Sequence, residues 1–232
     1  MLPPDLRSAE AQALAALQAA ITATANGRWT VEFRFEGLKI LPLALRLAGA
    51  MQQAGLEMRL LFSDAGATAL AQRDGPDLAT RIASLAEALR GQEEANAEPS
   101  KAVLVLVAPS LAEYDLAEKV CMGHPGPVVL LNGNLEDAAV GIGSVARERR
   151  KGFLATWSCA YALVPLAEAA LIRAFPEPWT LYRRDADGYR AVASFEHKPD
   201  AEQQSLALHP DQTPGVAEGL QALDRFLGSL SN

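Results

Sequence analysis

Six consecutive apolar residues, Ala102-Val103-Leu104-Val105-Leu106-Val107, constrain this chain more than any other stretch. The run is of strand length and offers no polar face, so it predicts a strand covered on both sides, as in a parallel sheet with helices above and below. Ser110-Leu111-Ala112-Glu113 follows it and matches a capping box. There a Ser oxygen and a Glu carboxylate satisfy the orphan amides of a helix start. Residues 127–131 then give a second buried strand ending at Asn132.

The same alternation extends upstream. Leu6, Ala13, Leu14, Leu17 and Ile21 share one face of a helix over 5–26. Trp29, Val31, Phe33 and Phe35 alternate with Thr30, Glu32 and Arg34, a strand with one polar face that reads as lying near a sheet edge. Leu43, Leu47, Ala50 and Met51 return to helical spacing, with Gly55 where a left-handed cap is expected. A short strand over 57–62 precedes a helix capped by Ser63-Asp64 and ended by Gly75. Residues 76–100 read as an amphipathic piece around 78–89 followed by an exposed loop. Strand and helix thus alternate through the first 150 residues. This implies an α/β fold: an open, mostly parallel sheet with helices on both faces.

The last third changes character. Residues 153–163 and 169–175 read as strands broken by Pro165, and 179–184 with 189–196 as a hairpin turned at Asp187-Gly188. These extend the sheet with antiparallel strands. The expected organisation is a single domain over 1–198, a linker over 199–213 and an amphipathic C-terminal helix over 214–232.

Charge and composition remove several function classes. Lys and Arg total 21 against 28 Asp and Glu, a net charge of -7, so no broad positive field exists for nucleic acid or an anionic membrane. No stretch approaches a membrane span, and the opening Met1-Leu2-Pro3-Pro4-Asp5 lacks the pattern of a signal peptide, which reads as a cytoplasmic chain. Cys121 and Cys159 have no CxxC spacing and are expected as buried thiols. His124, His197 and His209 are isolated and have no metal-ligand spacing, so neither a metal nor a cofactor is expected.

In open α/β sheets ligands bind beyond the carboxyl ends of the strands. The loops there would bring Lys39, Asp64, Ser110, Asn132, Asn134, Glu136 and Asp137 to one edge. Caps and turns also account for Asp64, Ser110 and the 132–137 run. Gly141-Ile142-Gly143-Ser144-Val145-Ala146 matches the dinucleotide fingerprint in letters but not in place, lying about ten residues beyond the strand. Arg147, Arg149, Arg150 and Lys151 form the dense basic cluster of an acidic chain, either a solvated helix face or a docking patch for an acidic partner.

Taken together, several segments resemble an uncharacterised domain family of cyanobacteria and chloroplasts that includes the plant low photosystem II accumulation protein. They are the Leu2-Pro3 opening, Phe35-Glu36-Gly37-Leu38-Lys39-Ile40-Leu41-Pro42, Phe62-Ser63-Asp64-Ala65-Gly66-Ala67, Val107-Ala108-Pro109-Ser110, Leu130-Leu131-Asn132 and Leu135-Glu136-Asp137. Gly141-Ile142-Gly143, Phe153-Leu154 and the hairpin around Trp179 and Tyr189 continue the series. Glu36 and Gly133 stand where the family usually has Pro. The resemblance implies a link to oxygenic photosynthesis and no catalytic residues. The expectation is a non-enzymatic accessory protein that assists photosystem assembly or maintenance by binding a protein partner, soluble or peripheral at photosynthetic membranes. The alternative is an enzyme or sensor binding a nucleotide or phosphorylated small molecule at the strand ends.

Overall fold

The structure is a computed structural model that describes residues 1–94, 101–135 and 152–210. Helix α1 (Leu6–Ala23) leads into β1 (Arg28–Phe33), α2 (Ile40–Gln53), β2 (Met58–Phe62), α3 (Ala65–Asp74), β3 (Ile82–Ser84) and α4 (Leu85–Glu94). Then come β4 (Val103–Val107), α5 (Tyr114–Met122), β5 (Val128–Leu131), β6 (Trp157–Leu166), β7 (Ala169–Ala174), β8 (Trp179–Asp185), β9 (Gly188–Phe195) and α6 (Ala201–Leu208). The nine described strands form one sheet in the order β3-β2-β4-β5-β1-β6-β7-β8-β9. Pairing is parallel from β3 to β6 and antiparallel from β6 to β9. The fold is therefore the expected α/β one, with its antiparallel extension.

Strand β4 is buried at every position, and its side chains divide between two cores. Val103, Val105 and Val107 face the core under α1, α2 and α3, whereas Leu104 and Leu106 face the one under α4 and α5. Burying one such side chain stabilises the fold by about 1.5–3 kcal/mol, so this strand anchors both layers. On the first face α1 places Ala9, Ala13, Ala16, Leu17 and Ala20 inward, all buried. Four of these five carry only a methyl group, which lets the helix backbone come close to the sheet. A third core lies on the second face at the antiparallel end, where Trp179, Leu181, Ala162 and Leu171 meet Ala207 and Leu208 of α6.

Helix ends follow sequence signals closely. Asp5 caps α1 through Ser8 N at 2.7 Å, and Asp64 caps α3 through Ala67 N at 2.8 Å. Gly55 takes φ +77° just beyond α2, where its amide donates to Gln52 O and that of Leu56 to Met51 O. Only a residue tolerant of the left-handed region closes the helix this way.

Four expectations are corrected. Strand β1 is the fifth of nine rather than near an edge. Its polar alternation reports a hydrophilic patch on one face of a central strand, which periodicity does not separate from an edge position. Within 76–100, Pro76–Arg81 is a 3-10 helix, Ile82–Ser84 is the edge strand β3, and Leu85–Glu94 is α4. Three residues are too few to show a period, but Ser84 and Glu87 form a capping box of which Ser84 is the strand's last residue. Pro165 does not break β6 but pairs with Ala170 inside it. Leu163 O accepts from Arg34 N on the β1 side; Pro165, two residues on, points its missing N–H the same way, past the last paired residue of β1. Finally, part of the 199–213 linker is helix α6, opened by an Asp200/Gln203 capping box that outweighs the polar composition of the stretch. The proposed C-terminal helix over 214–232 lies outside the described residues.

Candidate functional site

The parallel strands β2, β4, β5 and β1 end on one edge, and there the chain turns sharply. Ala108 and Asn132, each one residue past its strand, adopt φ +47° and +51°. Both still extend the ladder: Ala108 N donates to Leu131 O at 2.8 Å, and Asn132 N to Val31 O at 2.9 Å. Non-glycine residues in this region are uncommon, and two on neighbouring strands mark the edge as a constrained place.

Most polar residues anticipated there are engaged in holding the turns. Asn132 acts as an extra rung of β5: its Oδ1 accepts from Phe33 N at 2.6 Å and its Nδ2 donates to Phe33 O at 2.8 Å. Ser110 donates from Oγ to Glu113 Oε2 at 2.6 Å and accepts from Ala112 N, while its own amide donates to the same carboxylate oxygen at 2.8 Å. Asp64 accepts from Ala67 N and Ser63 Oγ, and the Ala67 amide holds its carboxyl below the ordinary carboxylate value. Lys39 is exposed at the N-cap of α2 and makes no side-chain cap bond. Asn134 is exposed, its amide donating to Pro109 O at 2.8 Å. Glu136, Asp137, Arg147, Arg149, Arg150 and Lys151 lie outside the described residues, as does the 141–146 glycine motif.

Two cavities open beside the ends of β1 and β6, on opposite faces of the sheet. The larger, about 500 Å³, is on the face of α1 and is lined by Leu2, Pro3, Phe35, Leu38, Leu163 and Tyr189 among others. Its walls are overwhelmingly apolar. Two carboxylates stand at its rim: Asp5, held below its ordinary value by the Ser8 amide it caps, and the exposed Glu36. Tyr189 stands 51% exposed at the mouth. This groove joins the chain's N-terminal residues to the loop after β1, two segments far apart in sequence.

The smaller cavity, about 280 Å³, is on the second face and is polar at its floor. Thr30, Glu32 and Arg34 of β1 and the turn after it contribute successive same-face side chains. Glu32 Oε2 lies 3.3 Å from Arg34 Nε and 3.6 Å from Lys198 Nζ. Arg34 Nη2 also donates to Gly133 O at 3.0 Å. Of the anticipated site residues that are described, Asn134 alone lines this cavity. Glu32, Arg34 and Lys198 were missed. The signal for the first two was present in the polar alternation of β1, but it was assigned to a sheet edge.

Elsewhere the titratable groups serve the fold. Burial pushes the thiols of Cys121 and Cys159 up to about 12, as expected of inert cysteines. Burial lowers the pKa of His124, whose Nε2 is 2.8 Å from Ala102 O. Among the described residues no group of His, Cys, Asp and Glu could hold a metal ion, and no helix is long and apolar enough to cross a membrane.

No curated protein matches the chain in sequence comparison. A family model does, over residues 3–206, spanning α1 through nearly all of α6 and both strand-end cavities. The chain therefore belongs to the family defined by a domain of unknown function, DUF1995.

Proposed function

We propose that the protein is a non-enzymatic accessory factor that binds a protein partner through the apolar groove at the ends of β1 and β6. The observation that carries this reading is the groove itself. It offers about 500 Å³ walled by Leu2, Pro3, Phe35, Leu38 and Leu163, with Tyr189 half exposed at its mouth. Ligand pockets for small metabolites combine apolar walls with a few convergent polar groups, whereas anchors of a protein partner need mainly desolvating surface around an aromatic. Here one rim carboxylate, Asp5, is committed to a helix cap, and the other, Glu36, stands exposed beside apolar walls. The occupant is an extended partner segment that inserts apolar side chains between the N-terminal residues and the turn after β1. The resemblance to a family that includes the plant low photosystem II accumulation protein supports a photosystem subunit or assembly component as that partner. The basic residues Arg147, Arg149, Arg150 and Lys151 are a second proposed contact, suited to an acidic partner surface.

The test is affinity capture from the protein's own cells with quantitative mass spectrometry, comparing wild type with Tyr189→Glu and Leu38→Glu. A photosystem or assembly component enriched by wild type and lost from both variants, with their melting temperatures retained, supports the reading. Recovery of the same proteins by wild type and variants, or of none, overturns it.

A further inference from the structure

The smaller cavity has a chemistry of its own, independent of partner binding at the groove. A central strand covered on both faces reads as β4 does, apolar throughout. Strand β1 departs from this: on its second face Arg28, Thr30 and Glu32 stand in a row, continued by Arg34 just past the strand's end. Placing a carboxylate on the fifth strand of nine is costly unless cations meet it. Arg34 and Lys198 do so, the second from the segment between β9 and α6.

What remains after this pairing is an excess of donors. Among the described residues, two cations and one carboxylate line the cavity, a net charge of plus one on that wall. Arg34 uses Nε and Nη2 on Glu32 and Gly133, which leaves the rest of its five-donor fork. The Trp157 ring lines the same cavity. Its indole nitrogen has no accessible surface, so the residue meets the cavity through ring carbon rather than through its N–H. Leu130, Leu135, Leu154 and Val164 supply the apolar wall, and Thr30 and Asn134 add neutral polar groups.

The geometry points to a binding site for a small organic monoanion: a carboxylate received by Arg34 and Lys198, with a short apolar body against Leu130, Leu154, Val164 and the Trp157 ring. The charge count selects the class. One negative charge neutralises the wall, whereas a phosphate dianion beside Glu32 leaves one charge uncompensated in a partly desolvated place. A cation meets two like charges. The volume, about 280 Å³, is at the lower end for ligand pockets and admits only a compact molecule.

Isothermal titration of the full chain with benzoate, 3-phenylpropionate and hexanoate, and in parallel with benzamide, inorganic phosphate and phenyl phosphate, tests the assignment. At least one carboxylate is expected to bind saturably and more tightly than benzamide and both phosphates. Arg34→Gln and Lys198→Met should each weaken it by about tenfold or more, the usual effect of losing a charged hydrogen bond. Glu32→Gln removes the competing charge and should admit phenyl phosphate. Arg34 and Lys198 are exposed enough for their variants to fold, which circular dichroism checks. Three results overturn the proposal: no saturable carboxylate binding, binding unchanged in both cation variants, or benzamide binding as tightly as benzoate.

Discussion

Replacing Asn132 isolates the contribution of the strand-end turn, because one side chain there does two separable things. Its amide group makes two hydrogen bonds to Phe33, at 2.6 and 2.8 Å, in a partly buried place. Its backbone sits at φ +51°, where Asn is tolerated far better than Ala. Asn132→Ala loses both bonds, at about 0.5–1.5 kcal/mol each, and adds roughly 1 kcal/mol for the left-handed backbone, so about 2–4 kcal/mol of destabilisation is expected. Asn132→Gly loses the same bonds without the backbone term and should be about 1 kcal/mol less damaging than Ala, reversing the order seen at ordinary helix or strand positions. Asn132→Asp keeps the acceptor for Phe33 N but turns a carboxylate oxygen toward Phe33 O, and should also destabilise. Equilibrium urea denaturation with a shared slope measures all three. An Ala variant within 0.5 kcal/mol of wild type, or a Gly variant worse than Ala, would refute the reasoning.

Further perturbations probe other parts of the fold. Gly133→Ala places a methyl group on the Leu130 side chain, so a loss of about 1–3 kcal/mol is expected from overpacking, read by the same denaturation series. Leu106→Ala, at a fully buried position of β4, should cost about 2–5 kcal/mol, and a cost below 1 kcal/mol would contradict the two-faced burial of that strand. Asp64 titrates below its ordinary 3.8 because the Ala67 amide holds its charged form; a depressed carboxyl stabilises above that value and loses its contribution as pH falls through the folded one. Asp64→Asn keeps an acceptor cap without a titrating group, so the decline in melting temperature below pH 4 should be shallower than in wild type; parallel curves would remove Asp64 from the account. Cys121 and Cys159, both pushed up to about 12, should resist iodoacetamide at pH 8 in the folded protein and react once it is denatured, as followed by intact mass.

What the sequence discloses here depends on how many residues share the signal. Strand β4 and the Ser110 capping box were legible because several positions agree: six apolar residues in one case, a Ser and a Glu three apart directly after a strand in the other. Strand β3 was not, since Ile82–Ser84 is shorter than one helical turn. Helix α6 was hidden because its composition is that of a linker and its fold-forming signal is one capping box. At the strand ends the sequence left two uses open for the same residues, ligand binding or the capping of turns. Asn132 and Ser110 are chemically suited to binding ligands and also to ending strands and starting helices, and only the distances to Phe33 and Glu113 separate the two. The groups left over for binding come from elements brought together by topology: β1, the start of β6 and the segment after β9.

That topology also decides how the two cavities relate. Side chains alternate between faces, so consecutive residues at the ends of β1 and β6 serve different cavities. Arg34 and Val164 line the polar one, whereas Phe35 and Leu163 line the apolar groove. The two are separated by the thickness of the sheet and share backbone rather than side chains. Side-chain substitutions should therefore separate the activities cleanly: Arg34→Gln should weaken carboxylate binding and leave partner capture, and Leu38→Glu the reverse. A ligand that shifts the turn after β1 acts on both, because residues 34–38 connect them. If carboxylate binding altered partner capture by wild type, the coupling would run through that turn, and Gly37 at φ +71° is the place to stiffen it. With no such effect, the groove and the anion site are independent features on either side of one strand end.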